Sequence, residues 1–336
     1  MKKRDIVRQY LADEDLDTLP VRSLARYIYK NNVAAFKDIE DVRNVIRFLI
    51  GSRGEESRSK KEFDRDVISN MTDRGFKNQM NKYNIPESDE ETLEPVEIAA
   101  TGNYLVISDI HVPYHSIEAL ETCFDYAKGR KIDGVIINGD FLDFYQLSRY
   151  GKNPNKRKFA EELEAGFQLL SIIVSEFGNN VVYKIGNHEE RYEHFMAAKA
   201  PELLGVPAFR IEELLNAESL GIQVVKDKRI IKLGKLNILH GHEFGQSVFS
   251  PVNPARGYYL RAKASVLCGH NHQTSNHTEN NLEGSLVSTW STGCLSELRP
   301  AYLPYNKWNH GFAIVEVFED GQFEVENLKI IKGKVR

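Results

Sequence analysis

A chain of 336 residues has room for one large domain and a smaller piece, and a net charge of −4 excludes a strongly basic, nucleic-acid-coating composition. No apolar run approaches the length of a membrane span, and Met1-Lys2-Lys3-Arg4-Asp5 lacks the apolar core of a secretory signal, so a cytoplasmic location and no membrane partner are expected. Cys123, Cys268 and Cys294 are widely spaced with no Cys-x-x-Cys pair, which fits free, mostly buried thiols in a reducing compartment.

In chain order, three helical stripes come first. Ile6/Val7 and Tyr10/Leu11 mark one, Val21, Leu24/Ala25 and Ile28 a second, and Val42, Val45/Ile46 and Leu49 a third that ends before Gly51. Two short helices and a third bearing Arg43 and Arg47 resemble a helix-turn-helix in outline, so DNA is a candidate partner of residues 1–52. Asp13, Glu14, Asp15 and Asp17 blur that basic footprint. Residues 53–98 read as a charged helix and an acidic linker containing Pro86 and Pro95, and residues 99–336 as the large domain.

Short apolar runs at 104–107, 135–137, 181–185, 236–239 and 265–267 have the length of buried strands. A helix is expected over 117–128, stopping at Gly129. Phe159, Leu163, Phe167, Leu170, Val174 and Phe177 keep helical spacing up to Gly178 and are read as core packing. Further short strands are expected at 222–225 and 230–233, with a hairpin around Asp320-Gly321 at the end. Parallel units first and antiparallel strands later predict an α/β (α+β) sandwich, two packed mixed sheets flanked by helices.

The polar strings sit just after these strands: Asp109-Ile110-His111, Gly139-Asp140-Phe141-Leu142-Asp143, Gly186-Asn187-His188-Glu189, His240-Gly241-His242 and Gly269-His270-Asn271-His272. Open α/β sheets place ligands at such a rim. On extended backbone Asp109 and His111 would point to one side and grip one ion. The Asp140 carboxylate can bridge two ions, Asn187 offers a neutral oxygen, and His240, His270 and His272 offer imidazoles. This cysteine-free donor set suits Mn, Fe, Zn or Ni. Two such ions can clamp an in-line displacement at phosphorus and lower the pKa of a bridging water to about 7 or below. His188 lies one position out of register, where a histidine can protonate a leaving oxygen while Asp143 fixes its ring.

In this order and spacing the five strings resemble the calcineurin-like metallophosphoesterase family over roughly residues 100–330. The resemblance implies that family's two-sheet sandwich and two divalent ions (Mn2+, Fe2+/Fe3+, Zn2+ or Ni2+). It implies Asp109, His111, Asp140 and His272 on one ion, Asp140, Asn187, His240 and His270 on the other, and His188 as an acid paired with Asp143. His242 is the alternative to His240, which the strand end and the family pattern favour. His115, His194, His277 and His310 are read as ordinary histidines.

Arg149, Arg191, Arg256 and Arg261 are candidates for substrate phosphate, Arg191 and Arg256 foremost, because a guanidinium matches phosphate oxygens bidentately. Residues 196–217 and 244–261 are expected to wall the substrate pocket. The protein-phosphatase branch of the family usually carries arginine after the second Asp of Gly-Asp-x-x-Asp, where this chain has Phe144. That departure counts against a protein phosphatase and leaves diester and small-molecule monoester cleavage open, and the N-terminal helices alone tilt the expectation to a phosphodiester, DNA included. The alternatives are phosphomonoester hydrolysis and a DNA-binding regulator with a non-catalytic phosphoesterase fold. The oligomeric state is left open.

Overall fold

Tyr104 and Val106 point to one side of a strand and Leu105 and Ile107 to the other, and all four are fully buried. A strand covered on both faces reads as a continuous apolar run, because alternate side chains enter two different cores. The structure is a computed structural model describing residues 2–12, 20–50, 88, 90, 93–98, 101–149, 151–153, 155–245 and 252–336. It divides into two compact units, Met1–Asp89 and Glu90–Arg336.

The second unit holds two mixed sheets. Its strands are β1 (Val96–Ile98), β2 (Gly102–Ile107), β3 (Gly134–Asn138), β4 (Val181–Lys184), β5 (Gln223–Val225) and β6 (Ile231–Leu233). There follow β7 (Leu236–Leu239), β8 (Val266–Cys268), β9 (Ser275–Asn280), β10 (Leu286–Ser291), β11 (His310–Val317), β12 (Phe323–Ile331) and β13 (Lys334–Val335). One sheet runs β1-β6-β7-β8-β10-β9 and the other β13-β12-β11-β2-β3-β4-β5. Strands β2 to β5 are parallel, and β11 to β13 extend that sheet antiparallel.

Tyr104, Val106, Ile136 and Val182 of one sheet meet Ile231, Leu233, Ile238 and Leu267 of the other, forming the inner core. The opposite faces of β2 and β3 pack on helices Ile117–Lys128 and Phe159–Phe177 through Leu105, Ile107, Cys123, Leu170 and Ile173. Each such aliphatic side chain contributes about 1.5–3 kcal/mol of burial. Ser116 caps the first of these helices by accepting from Ala119 N, and the second stops at Gly178, whose φ is 85°. The expected sandwich, both helices and the terminal hairpin are all present.

Residues 53–98 were expected to end in linker, yet Val96–Ile98 pairs in parallel with Ile231–Leu233 at a sheet edge. Pro95 permits this, since proline is tolerated at the first position of an edge strand. The expected charged helix lies outside the described residues.

The first unit contains helices Lys3–Leu11, Val21–Asn31 and Ile39–Ile50 around Val7, Leu24, Ile28, Val42 and Ile46. Arg43 and Arg47 both reach Glu40 of their own helix, so the expected basic face is partly neutralised. Among the described residues no helix is long and apolar enough to cross a membrane, and the three cysteines are buried and unpaired.

Candidate metal centre

Five loops bring the polar strings to one place. Asp109 and His111 follow β2, Asp140 follows β3, and Asn187 and His188 follow β4, all at the carboxyl ends of parallel strands. His240 follows β7, and His270 and His272 follow β8, so the second sheet delivers its imidazoles to the same rim.

The local backbone is not extended here. Asp109, His111, Asp140, His270 and His272 have φ of 55°, 52°, 50°, 67° and 54°. Left-handed conformation is uncommon for residues other than glycine, costs on the order of 1–3 kcal/mol each, and clusters at functional sites. The convergence of Asp109 and His111 thus comes from these turns, not from the strand alternation expected of Asp-x-His. Two motif glycines allow the loops to touch. A Cβ at Gly186 would strike Asp140 N and Oδ1, and one at Gly269 would strike Ser108 Oγ.

Among the described residues three overlapping groups have ligand atoms close enough to hold an ion: Asp109/His111/His272, His111/Asp140/His188 and Asp140/His240/His270. In the first, Asp109 Oδ1 is 3.1 Å from His272 Nε2 and 4.0 Å from His111 Nε2. The two imidazole Nε2 atoms face each other at 3.1 Å. In the third, Asp140 Oδ2 lies 3.3 Å from His240 Nε2. That same oxygen is 3.8 Å from both His111 Nε2 and His188 Nε2, so it lies between the groups.

The donors are also aimed from behind. His240 Nδ1 is 2.7 Å from Asn138 O, which can only accept, so Nδ1 carries the proton and Nε2 turns a lone pair to the site. His111 Nδ1 meets Asp143 Oδ1 at 3.1 Å and is fixed in the same sense. Ser108 Oγ and His270 N both donate to Asp109 Oδ2, at 2.6 and 2.9 Å. Asp109 Oδ1, Asn187 Oδ1 and His240 Nε2 are buried with no hydrogen-bond partner. Such orphaned atoms carry a cost of about 1–3 kcal/mol each unless something binds them, and oxygen and nitrogen lone pairs converging with two carboxylates suit a divalent cation. Burial acts to lower the His240 pKa, but the Asp140 and Asp109 charges raise it to about 10, so the pocket favours positive charge at that nitrogen. Burial acts to raise the Asp140 pKa, yet His240 and His188 hold it well below the usual carboxylate range.

His188 sits at the edge of the cluster. Its Nδ1 lies 2.9 Å from Asp143 O and 3.2 Å from Asp143 Oδ1. Arg191 donates from Nη2 to His188 Nε2 at 2.9 Å and from Nη1 to Asp143 O at 2.8 Å. Of the candidate arginines, Arg191 therefore reaches the site. Arg256 is exposed on the first turn of helix Pro254–Ala262 and does not line the cavity beside the site. His242 turns away to Glu190, its Nε2 2.9 Å from Oε1, while His240 faces the cluster.

Several supporting residues carried no expectation. Glu189 is fully buried and accepts from Asp140 N, Leu142 N, Gly186 N and Tyr183 OH at 2.8–3.1 Å, tying two ligand loops together. Its place in Gly-Asn-His-Glu was legible, its role was not. Lys184, also fully buried, donates to Glu243 Oε1 at 3.0 Å, and Glu243 accepts from His240 N and Gly241 N.

The expected pocket walls need correction. Residues 196–217 line a separate, largely apolar cavity of about 420 Å³, because helix Glu190–Lys199 carries the chain away from the ligands. Of the second expected wall, residues 246–251 lie outside the described residues. Helix Pro254–Ala262 supports the Gly269–His272 loop from behind, Tyr258 OH donating to Gly269 O. The cavity that does open on His111, Asp143 and His272 holds about 450 Å³ and is walled by Tyr114, Tyr145 and residues 296–308.

Glu162 offers a pH-dependent check on the loop beside Asp143. It is 1 % exposed and accepts from Phe144 N, and burial followed by Asp143 and Glu189 repulsion pushes its pKa up to about 8. A folded pKa above the unfolded one makes ionisation destabilising, so stability falls as pH rises from about 4.5 to 8. Glu162→Gln should gain on wild type over that window, by roughly 3–5 kcal/mol at most. Chemical denaturation of both proteins at pH 5 and 8.5 measures the difference, and equal differences at both would rule the effect out.

Residues 102–292 match the calcineurin-like phosphoesterase family. The chain is 27% identical over 243 residues to the gene 54 protein of Mycobacterium phage L5, covering 68% of this chain and 93% of that one. Among solved structures, Vps29 complexed with Zn2+ from Entamoeba histolytica is 15% identical with a TM-score of 0.36, covering 70% of this chain and 96% of the other. A dimetal phosphatase from Danio rerio is 10% identical with a TM-score of 0.35, covering 67% and 95%. With the family matched over more than half of the chain and across every polar loop, this chain is a phosphoester hydrolase belonging to the calcineurin-like phosphoesterase family.

Proposed function

We propose that the centre is dinuclear and that the chain hydrolyses phosphodiesters. Asp109, His111, Asp140 and His272 would hold one divalent ion, and Asp140, Asn187, His240 and His270 the other. The observation that carries this reading is Asp140 Oδ2, placed 3.3 Å from His240 Nε2 and 3.8 Å from His111 Nε2 as a shared donor. Bound there, two ions supply Lewis acidity that polarises a phosphoryl group and acidifies water, a role open to Mn, Fe, Zn or Ni.

The chain's own residues supply the proton. Asp143 holds Nδ1 of His188, leaving Nε2 toward the site, and Arg191 covers that nitrogen. A phosphate oxygen arriving at Arg191 would take over that N–H, so that Nε2 is free to take up a proton from solvent and pass it to the leaving oxygen. A diester suits the surroundings better than a monoester dianion. Phe144, where the protein-phosphatase branch usually carries arginine, is fully buried against Phe159 and Tyr192, so no guanidinium stands at that position.

His188→Ala should keep its metals and lose on the order of 10²–10⁴ in rate with an alkoxide leaving group. The loss should shrink with nitrophenolate, which leaves without a proton. An equal loss for both, or loss of the ions, would remove His188 from the acid role.

DNA cleavage in a cytoplasmic setting is the more specific reading, with residues 1–89 recruiting the polymer. A protein beginning at Glu90, which keeps strand β1, should bind metals and hydrolyse small diesters at near the full-length rate. Only the full chain should retard DNA at low salt, with affinity falling steeply as salt rises. Should the full chain fail to retard DNA, the helical unit has another partner and the nuclease reading goes with it.

A further inference from the structure

The wall of the 450 Å³ cavity is aromatic where it meets the metal centre. The Trp308 ring lies 4.2 Å from the His272 ring, centroid to centroid, and Tyr302 meets Trp308 edge-on at 6.4 Å. Tyr114, three residues after His111, lines the same cavity with Lys156 Nζ 4.6 Å above its ring, and Tyr145 lines it too. Among the described residues of this lining Pro300 and Ala301 are the only aliphatic side chains, while Asn153 and Ser296 add hydrogen-bonding edges. The exposed Lys156 and Arg299 place two cations in the lining, and the exposed Glu297 adds an anion. Leu303 and Tyr305, beyond the lining, leave the same 297–309 segment exposed.

We propose that this cavity is a nucleobase subsite, and that the substrate is a nucleoside phosphodiester whose base stacks among Trp308, Tyr302 and Tyr114. The inference rests on the diester reading above and names its substrate class. An acyl chain would call for aliphatic walls. A base has a π-face for the rings and a polar edge for Asn153 and Ser296. A flanking phosphate would meet Lys156 or Arg299, as in single-strand binding grooves where aromatics alternate with cations. The volume falls within the range of ordinary small-ligand pockets, roughly 300–1,000 Å³.

The test compares ligands that differ only in the base. Calorimetry on the full Mn2+-loaded chain should find deoxythymidine 5′-monophosphate bound about 5- to 150-fold more tightly than 2-deoxyribose 5-phosphate, the span expected for stacking one base. Tyr302→Ala should pull that ratio toward one, and because Tyr302 is 77% exposed its removal should leave folding intact. Trp308→Leu should do the same. A ratio of one in the wild type, or a ratio untouched by both variants, overturns the proposal. So does O-phosphotyrosine binding as tightly as the nucleotide, which would make the cavity a general aryl or peptide site. Turnover of ethyl 4-nitrophenyl phosphate, run alongside, reports on the diester reading separately. If the base preference holds without diester turnover, the subsite stands and the reaction assignment falls.

Discussion

Asp140→Asn should cost more than any other single substitution at the site. Elemental analysis should show metal content falling from near two ions per chain to one or fewer. Activity should drop by more than the roughly 10–100-fold seen when only a residue behind a ligand is changed. The reason is that Asp140 uses both oxygens. Oδ1 accepts from His188 N at 2.9 Å and so fixes the loop, while Oδ2 faces His240, His111 and His188 at 3.3–3.8 Å. An amide keeps the size and one oxygen but replaces the other with a donor group, which cannot ligate a cation and would point at imidazole nitrogens. The fold should survive, because the side chain contributes no apolar packing. If the variant still held two ions and turned over at the wild-type rate, the shared-donor assignment would be abandoned.

Much of this centre was legible because its chemistry is carried by short strings at strand ends. Asp109, His111, Asp140, His188, His240, His270 and His272 were all named from sequence and the structure brings them together, while Asn187, also named, has its Oδ1 buried without a partner. The strands were legible for a similar reason, since runs such as 104–107 and 135–137 are apolar on both faces and match the two cores. What was not legible depends on long-range geometry. The left-handed turns at Asp109 and Asp140 leave no local composition signal, because tertiary contacts stabilise them: Asp109 N donates to Gly139 O and His111 N to Asp140 O. The pocket walls were misplaced for the same reason. Proximity in sequence to the histidine motifs suggested residues 196–217, whereas the walls come from Tyr114, Tyr145 and the segment after the last motif. Tyr302, Tyr305 and Trp308, crowded between Pro300 and Asn309, were the available signal. Strand β1 escaped because its partner, β6, lies more than a hundred residues away.

Glu189→Ala should be the most destabilising substitution outside the ligands, and its effect should reach the metals. The carboxylate accepts four hydrogen bonds, two at each oxygen. Leu142 N and Tyr183 OH meet Oε1 at 2.8 Å, and Asp140 N and Gly186 N meet Oε2 at 3.1 and 2.9 Å. Truncation leaves three buried backbone N–H groups and a buried hydroxyl without an acceptor, at about 1–3 kcal/mol each before relaxation. Allowing for water entering the space, a net loss of roughly 3–5 kcal/mol is expected, which lowers the melting temperature by about 6–20 °C for a domain of this size. Glu189→Gln should recover little, because its amide nitrogen would face two donors in place of an accepting oxygen. The loops bearing Asp140 and Gly186 are the ones this side chain joins, so metal affinity should fall with stability even though Glu189 touches no candidate ligand atom. Thermal melts of the metal-free variants, followed by metal titration, separate the two effects. A variant melting within a degree or two of wild type would mean that solvent or neighbouring groups satisfy those four donors, and that Glu189 does not hold the centre together.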